Sequence, residues 1–192
     1  FLILTKYIMK NNLINLVSVL EKINNFKYIN HIEKISEIIN KKLKKGGAIY
    51  LAGNGGSAAQ CQHFAAELVG KFKKVRKSIN AVSLTTDTSI ITSIANDTNF
   101  DHIFLRQVNN KLSKKDVVIC FSTSGKSKNI LNLLKYTAKN NFFSILISGK
   151  SGGVCNKYCS HIIKVPSQDT AVIQEAHMVI THYLCEKIER YL

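Results

Sequence analysis

Five short apolar runs alternate with longer stretches of helical periodicity, and this alternation narrows the fold more than anything else in the sequence. The runs are Ala48–Ala52, Ala81–Leu84, Asp116–Phe121, Phe143–Ile147 and His161–Val165. Each is mostly hydrophobic without strict alternation, the pattern of strands covered on both faces. The first forty-five residues read as helix. Leu13, Leu16, Val17, Leu20 and Ile23 recur at helical spacing, as do Ile32, Ile35, Ile38 and Ile39. Lys41 to Lys45 followed by Gly46-Gly47 ends the second helix. Further helices are predicted from an N-cap at Ser57 through Gly70, over 88–95, 102–111 and 127–140, and from Thr170 to Tyr191. Strands alternating with helices predict an α/β fold: a parallel five-stranded sheet with helices on both faces. It is a three-layer sandwich of the flavodoxin or Rossmann kind, preceded by N-terminal helices over residues 1–45. Pro166 closes the last strand. No linker, repeat or low-complexity segment divides the chain, so residues 1–192 are expected to form a single domain.

Charge asks for a second decision. The net charge is +15, which invites a nucleic-acid reading. Yet only Arg76, Arg106 and Arg190 are arginine, and the lysines are scattered along the whole chain. A nucleic-acid partner is therefore not expected, although such a surface attracts anionic substrates. No apolar run approaches the length of a membrane span, and Phe1-Leu2-Ile3-Leu4 is too short for a signal-peptide core. A cytoplasmic location with no membrane association is the expectation. Residues 1–8 precede the first methionine, Met9, and are expected to be an extension without a role in the fold. Cys61, Cys120, Cys155, Cys159 and Cys185 form no C-x-x-C pair and are odd in number, so they read as free thiols.

Ligands on a parallel sheet sit outside the carboxyl ends of the strands. Two turns rich in small and polar residues fall at those ends: Gly53-Asn54-Gly55-Gly56-Ser57 and Ser122-Thr123-Ser124-Gly125-Lys126-Ser127. A phosphate at the second would meet backbone N–H groups at a helix N-terminus, and four hydroxyls besides. Gly125 lets the backbone approach closely. Lys126 adds charge or points to solvent. The same residues would also serve as an ordinary strand-to-helix turn with a serine cap. The spacing is not that of a Walker A loop.

A second constellation lies on the helices. His63 and Glu67, four apart, share one face of the helix after the glycine-rich turn. Gln174 and His182, eight apart, lie on roughly one side of the last helix. If those helices face each other, the four side chains converge on a site for a divalent metal, with zinc favoured by two imidazoles. The alternative is a pair of polar helix faces satisfied at a subunit interface.

Together these motifs resemble a known family. Ser122-Thr123-Ser124-Gly125-x-Ser127 after a strand is similar to the sugar-phosphate loop of SIS domains, and Gly53–Ser57 to the loop after their first strand. Thr85-Thr86-Asp87, Ala95-Asn96-Asp97 and Ile173-Gln174-Glu175-Ala176-His177 extend the match over nearly the whole chain. Among SIS-domain proteins the resemblance is greatest to the sedoheptulose 7-phosphate isomerases, or phosphoheptose isomerases. It implies an aldose–ketose isomerisation through an enediol, giving D-glycero-D-manno-heptose 7-phosphate for ADP-heptose and lipopolysaccharide core synthesis. It also implies a Zn2+ ion on His63, Glu67, Gln174 and His182, with Glu67 and His182 as the acid–base pair. Asn54, Gly55, Gly56, Asn96 and Asp97 would line the sugar, together with Glu67 and Gln174. Ser122, Thr123, Ser124 and Ser127 would take the phosphate. The family's assembly implies a homotetramer whose active sites draw on more than one subunit.

The chain departs from the family pattern at Ala66, where a second acid is frequent, and at Lys71 and Val172, where arginine is common. Two guanidinium groups fewer mean fewer bidentate anion contacts, and lysine does not replace them. Two other readings share the fold. A DnaA-associating SIS protein has similar turns but lacks the Glu and the last-helix His. A SIS-domain regulator would bind sugar phosphate without converting it.

Overall fold

The computed structural model describes the backbone of residues 2–191 and the side chains of residues 9–190. The five apolar runs become β1 (Ile49–Gly53), β2 (Ala81–Ser83), β3 (Val117–Ser122), β4 (Phe143–Ser148) and β5 (His161–Lys164). They form one parallel sheet in the order β2-β1-β3-β4-β5. Every residue of β3, the central strand, is buried, which is why its sequence shows no polar alternation.

Successive side chains point to opposite faces of the sheet. Ile49, Leu51, Val117, Ile119, Phe121, Ile145 and Ile147 face one core. It is closed by α1 (Leu2–Ile23), α2 (Phe26–Leu43), α3 (Gly56–Val69) and α7 (Thr170–Tyr191). Ala52, Val118, Cys120 and Leu146 face the other. That core is covered by α4 (Thr88–Asp97), a 3-10 turn at Phe100–His102, the short α5 (Leu105–Val108) and α6 (Lys128–Lys139). Cys61, Cys120, Cys155 and Cys185 are buried free thiols, and Cys159 is half-buried.

Three expectations need comment. The helix predicted over 102–111 is broken into a 3-10 turn and a single α-turn. Asn109 leaves helical geometry at ψ 128°, and Asn110 takes φ +63°, a conformation asparagine tolerates. Ser57 is not the N-cap of α3. Gly55, at φ +55°, occupies that position and makes no side-chain cap, while Ser57 is buried one turn-residue inside the helix. Residues 1–8, set aside as an extension, are helical backbone from Leu2 onward. Phe1 and the side chains of residues 2–8 lie outside the described residues.

The strand order reverses between β1 and β3, so their carboxyl ends open a crevice at the topological switch point. Gly53 pairs with Phe121 there, and both turns picked out in the sequence leave from this edge. Among the described residues, no helix is long and apolar enough to cross a membrane.

Candidate active site

The loop between β3 and α6 carries the hydroxyls expected to meet a phosphate. Ser122 Oγ accepts from the Gly125 N–H at 3.1 Å and lies 3.5 Å from Ser127 Oγ. Ser127 is the N-cap residue of α6 but makes no side-chain cap, so its hydroxyl stays available. Ser124 Oγ accepts from the Lys126 N–H at 3.2 Å. The loop is held from behind by the segment after β4. Gly149 N–H donates to the Thr123 carbonyl at 3.0 Å, and Cys155 N–H to the Gly125 carbonyl at 3.0 Å. Ser148 Oγ donates to the Ser122 carbonyl at 2.5 Å.

Across the crevice, Asn54 and Asn129 exchange a reciprocal pair of amide hydrogen bonds, each 2.9 Å. Asn129 is 2% exposed and also accepts from the Ile130 N–H. The pair ties the turn after β1 to the first turn of α6. Asn54 therefore anchors the turn expected to line the sugar to the loop expected to take the phosphate.

The second cluster sits on the flank formed by α3 and α7. His63 Nε2 lies 3.0 Å from His182 Nε2 and 3.4 Å from Glu67 Oε1. The donor atoms of His63, Glu67 and His182 all fall within 4.8 Å of one another. A tetrahedral zinc with ligand bonds of about 2.0–2.1 Å spaces its donors roughly 3.3 Å apart. The two separations from His63 lie near that spacing and the third stays within 4.8 Å, so these residues fit a divalent metal. His63 keeps 43% of its side chain exposed and Glu67 24%, which leaves the cluster open to a ligand.

Comparison with known proteins decides the family. Residues 14–148 match the SIS domain model. A Campylobacter jejuni protein named phosphoheptose isomerase 1 is 51% identical over 158 residues, covering 82% of this chain and 85% of that protein. The chain belongs to the phosphoheptose isomerase family. A phosphoheptose isomerase of Aliarcobacter butzleri is 45% identical over 84% of this chain and 85% of its own length. A solved phosphoheptose isomerase of Neisseria gonorrhoeae superposes with a TM-score of 0.88 at 32% identity, covering 97% of this chain and 99% of that one.

Against the phosphoheptose isomerase pattern, the remaining candidates fall into three places. Gln174 lies at the first turn of α3: a Cβ on Gly56 would come within 2.6 Å of its amide nitrogen. Its main-chain carbonyl accepts from Gln60 Nε2 at 2.6 Å. Gly56 thus makes room beside Gln174, while His182 meets His63 about two turns further along the paired helices. Asn96 and Asp97, at the end of α4, are exposed and hydrogen-bonded to each other at 3.1 Å. No hydrogen bond among the described residues joins them to the other candidates.

His177, within the last-helix motif, is fully buried against Phe121 with ring centroids 5.7 Å apart. Burial pushes its imidazole down to about 4, only partly offset by the nearby Ser148 carbonyl, and neither ring nitrogen has a partner in hydrogen-bonding geometry. It is a neutral core group under the strand ends, not a proton carrier at the surface. Sequence reasoning missed Asn129 and the Gly149–Gly153 buttress. The glycine cluster after the fourth apolar run was a usable signal for the second; nothing in the spacing marked Asn129.

Proposed function

We propose that this chain interconverts sedoheptulose 7-phosphate and D-glycero-D-manno-heptose 7-phosphate in the cytoplasm, as a step toward ADP-heptose. The observation that carries the reading is the meeting of His63, Glu67 and His182 on paired helices. An aldose–ketose isomerase removes a proton beside a carbonyl and returns it to the neighbouring carbon. Glu67 removes and returns that proton. His182 moves the proton between the two oxygens. The phosphate rests on the hydroxyls of Ser122, Thr123, Ser124 and Ser127 and on the N-terminus of α6. Asn54, Gly55, Gly56, Gln174, Asn96 and Asp97 shape the sugar site. His63, Glu67 and His182 would hold Zn2+, which when bound supplies Lewis-acid polarisation of the sugar oxygens, while Gln174, about two turns away along α7, is the member of the expected ligand set that stands apart from them in this chain.

The acid–base cluster lies on the flank of α3 and α7, whereas the phosphate loop lies above the strand ends. A homotetramer in which one subunit's flank meets another's loop reconciles the two. The DnaA-associating reading is not favoured, because relatives at 45–51% identity carry the name phosphoheptose isomerase. Glu67 and His182, which that reading lacks, stand together here.

The test is turnover of sedoheptulose 7-phosphate by purified protein, with zinc added and after chelation, beside Glu67→Gln. Conversion should appear, and the variant should lose about 10²–10⁴-fold in kcat. Retained binding of the sugar phosphate without any conversion would replace the isomerase with a sugar-phosphate-binding regulator.

A further inference from the structure

The segment between α3 and β2 carries a buried arrangement that the reaction chemistry does not call for. Glu189, near the end of α7, is 5% exposed. Its carboxylate accepts three backbone hydrogen bonds from this segment: Phe72 N–H at 2.9 Å, Lys73 N–H at 2.9 Å and Lys74 N–H at 3.2 Å. Arg76 Nε lies 3.1 Å from the same carboxylate, and both side chains are nearly inaccessible. Burial pushes the Glu189 carboxyl up, but the three N–H donors and the Arg76 guanidinium outweigh it and hold the group below its ordinary value. The other end of Arg76 closes α3. Its guanidinium donates to the carbonyls of Glu67 and Leu68 at 2.7 Å and of Gly70 at 3.1 Å, groups a helix end leaves unpaired.

What this strap presents is the Phe72 ring. It stacks on the imidazole of His182, with centroids 5.4 Å apart and planes 23° apart. The same imidazole also neighbours His63, at 5.2 Å between centroids. His182 therefore neighbours both an aromatic plate and its partner histidine. An exposed imidazole on a helix turns freely about its outer bond; one stacked in this way does not.

We infer that Phe72 is a positioning residue, clamped by the Glu189–Arg76 pair, that fixes the ring plane of His182 so that Nε2 faces His63 and Glu67. The inference rests on the reading of His182 as the proton-shuttling and metal-holding group. Its consequence is that preorganisation of the site depends on a carboxylate two turns further along α7, which touches neither substrate nor metal.

Three variants test it: Phe72→Leu, Phe72→Tyr and Glu189→Gln. In Phe72→Leu, kcat for sedoheptulose 7-phosphate should fall about tenfold or more, because small misplacements of a reacting group are costly. KM should stay within about twofold, since Phe72 is not among the residues proposed to bind the phosphate. Phe72→Tyr, which keeps the ring, should restore kcat. Glu189→Gln should shift kcat in the same direction as Phe72→Leu.

A second readout is independent of turnover. The His182 ring resonances, assigned by their loss in His182→Gln, should report one defined imidazole environment in the parent and in Phe72→Tyr. In Phe72→Leu they should shift and broaden. Unchanged His182 resonances in a folded Phe72→Leu protein would overturn the proposal, as would a kcat that Phe72→Tyr fails to restore. If the parent does not turn over the sugar at all, the isomerase reading fails by itself, and the resonance comparison still decides the positioning role.

Discussion

Gly125 shows how a single backbone position sets the proposed phosphate loop. Its φ is +63°, and a Cβ there would lie 2.0 Å from the Gly152 carbonyl oxygen and 2.7 Å from the Gly153 nitrogen. A side chain therefore meets two penalties: a left-handed conformation, costing on the order of 1–3 kcal/mol, and a clash with backbone that cannot swing aside. We predict that Gly125→Ala raises KM for the sugar phosphate at least about tenfold and lowers the thermal midpoint, by steady-state kinetics and calorimetry on one preparation. Ser124→Ala, at an exposed hydroxyl, should leave the stability within about 0.5 kcal/mol of the parent. An unchanged KM in folded Gly125→Ala would remove this loop from phosphate binding. The loop was legible in the sequence because its chemistry is local: hydroxyls, a glycine and a helix start within six residues. Its support was not, because Gly152 and Gly153 come from beyond the next strand, and proximity across a sheet leaves no trace in spacing. Phe72 was invisible for the same reason: its partner, His182, is 110 positions away.

Elements differ in what holds them. α7 buries Val172, Ile173, Ala176, Ile180, Leu184 and Ile188 at helical spacing and was predicted from Thr170 to Tyr191, as found. α4 buries no residue fully and leans on the second core only through Ile91, Ile94 and Ala95. Its start depends on Asp87, whose carboxylate accepts from the Ile90 N–H at 2.9 Å. Losing such a cap costs about 1 kcal/mol. In Asp87→Ala, amide hydrogen exchange should accelerate across residues 88–97 while β3 and β4 keep their protection. If Asn96 and Asp97 shape the sugar site, KM should rise as well. Equal exchange in parent and variant would show that packing alone holds α4. This contrast explains where the fold was readable. Strongly amphipathic or fully buried stretches announced themselves, whereas the 102–111 region, whose turns are set by Asn109 and Asn110, read as one helix because its apolar residues still fell near helical spacing.

At the scale of the molecule, α1 leaves Met9, Leu13, Ile14 and Val17 more than half exposed, beside Val179 of α7 at 49%. A contiguous apolar face of this kind is expected to be covered in the proposed tetramer. Val17→Asp should shift the sedimentation coefficient toward smaller species; an unaltered distribution would place the subunit contact elsewhere. Stability should also depend on pH in a way that the buried histidine dictates. The unfolded chain protonates His177 near the ordinary value of 6.5, but the folded chain resists until about 4. Between those values the unfolded state binds more protons, so stability falls as pH falls. The loss approaches about 3 kcal/mol by pH 4, at 1.36 kcal/mol for each unit of displacement. His161, also pushed down by burial and then by His31, adds in the same direction. Glu189 is held low, so its contribution is present above the unfolded carboxylate range and is lost only as pH falls below about 4.5. The interval from 6.5 to 4.5 therefore belongs to the histidines. Urea midpoints measured across it should decline steeply in the parent and much less in His177→Leu, which keeps an apolar group against Phe121. Parallel declines in the two proteins would mean that the buried imidazole takes up its proton without unfolding, and that the strand ends it sits beneath yield more readily than their packing suggests.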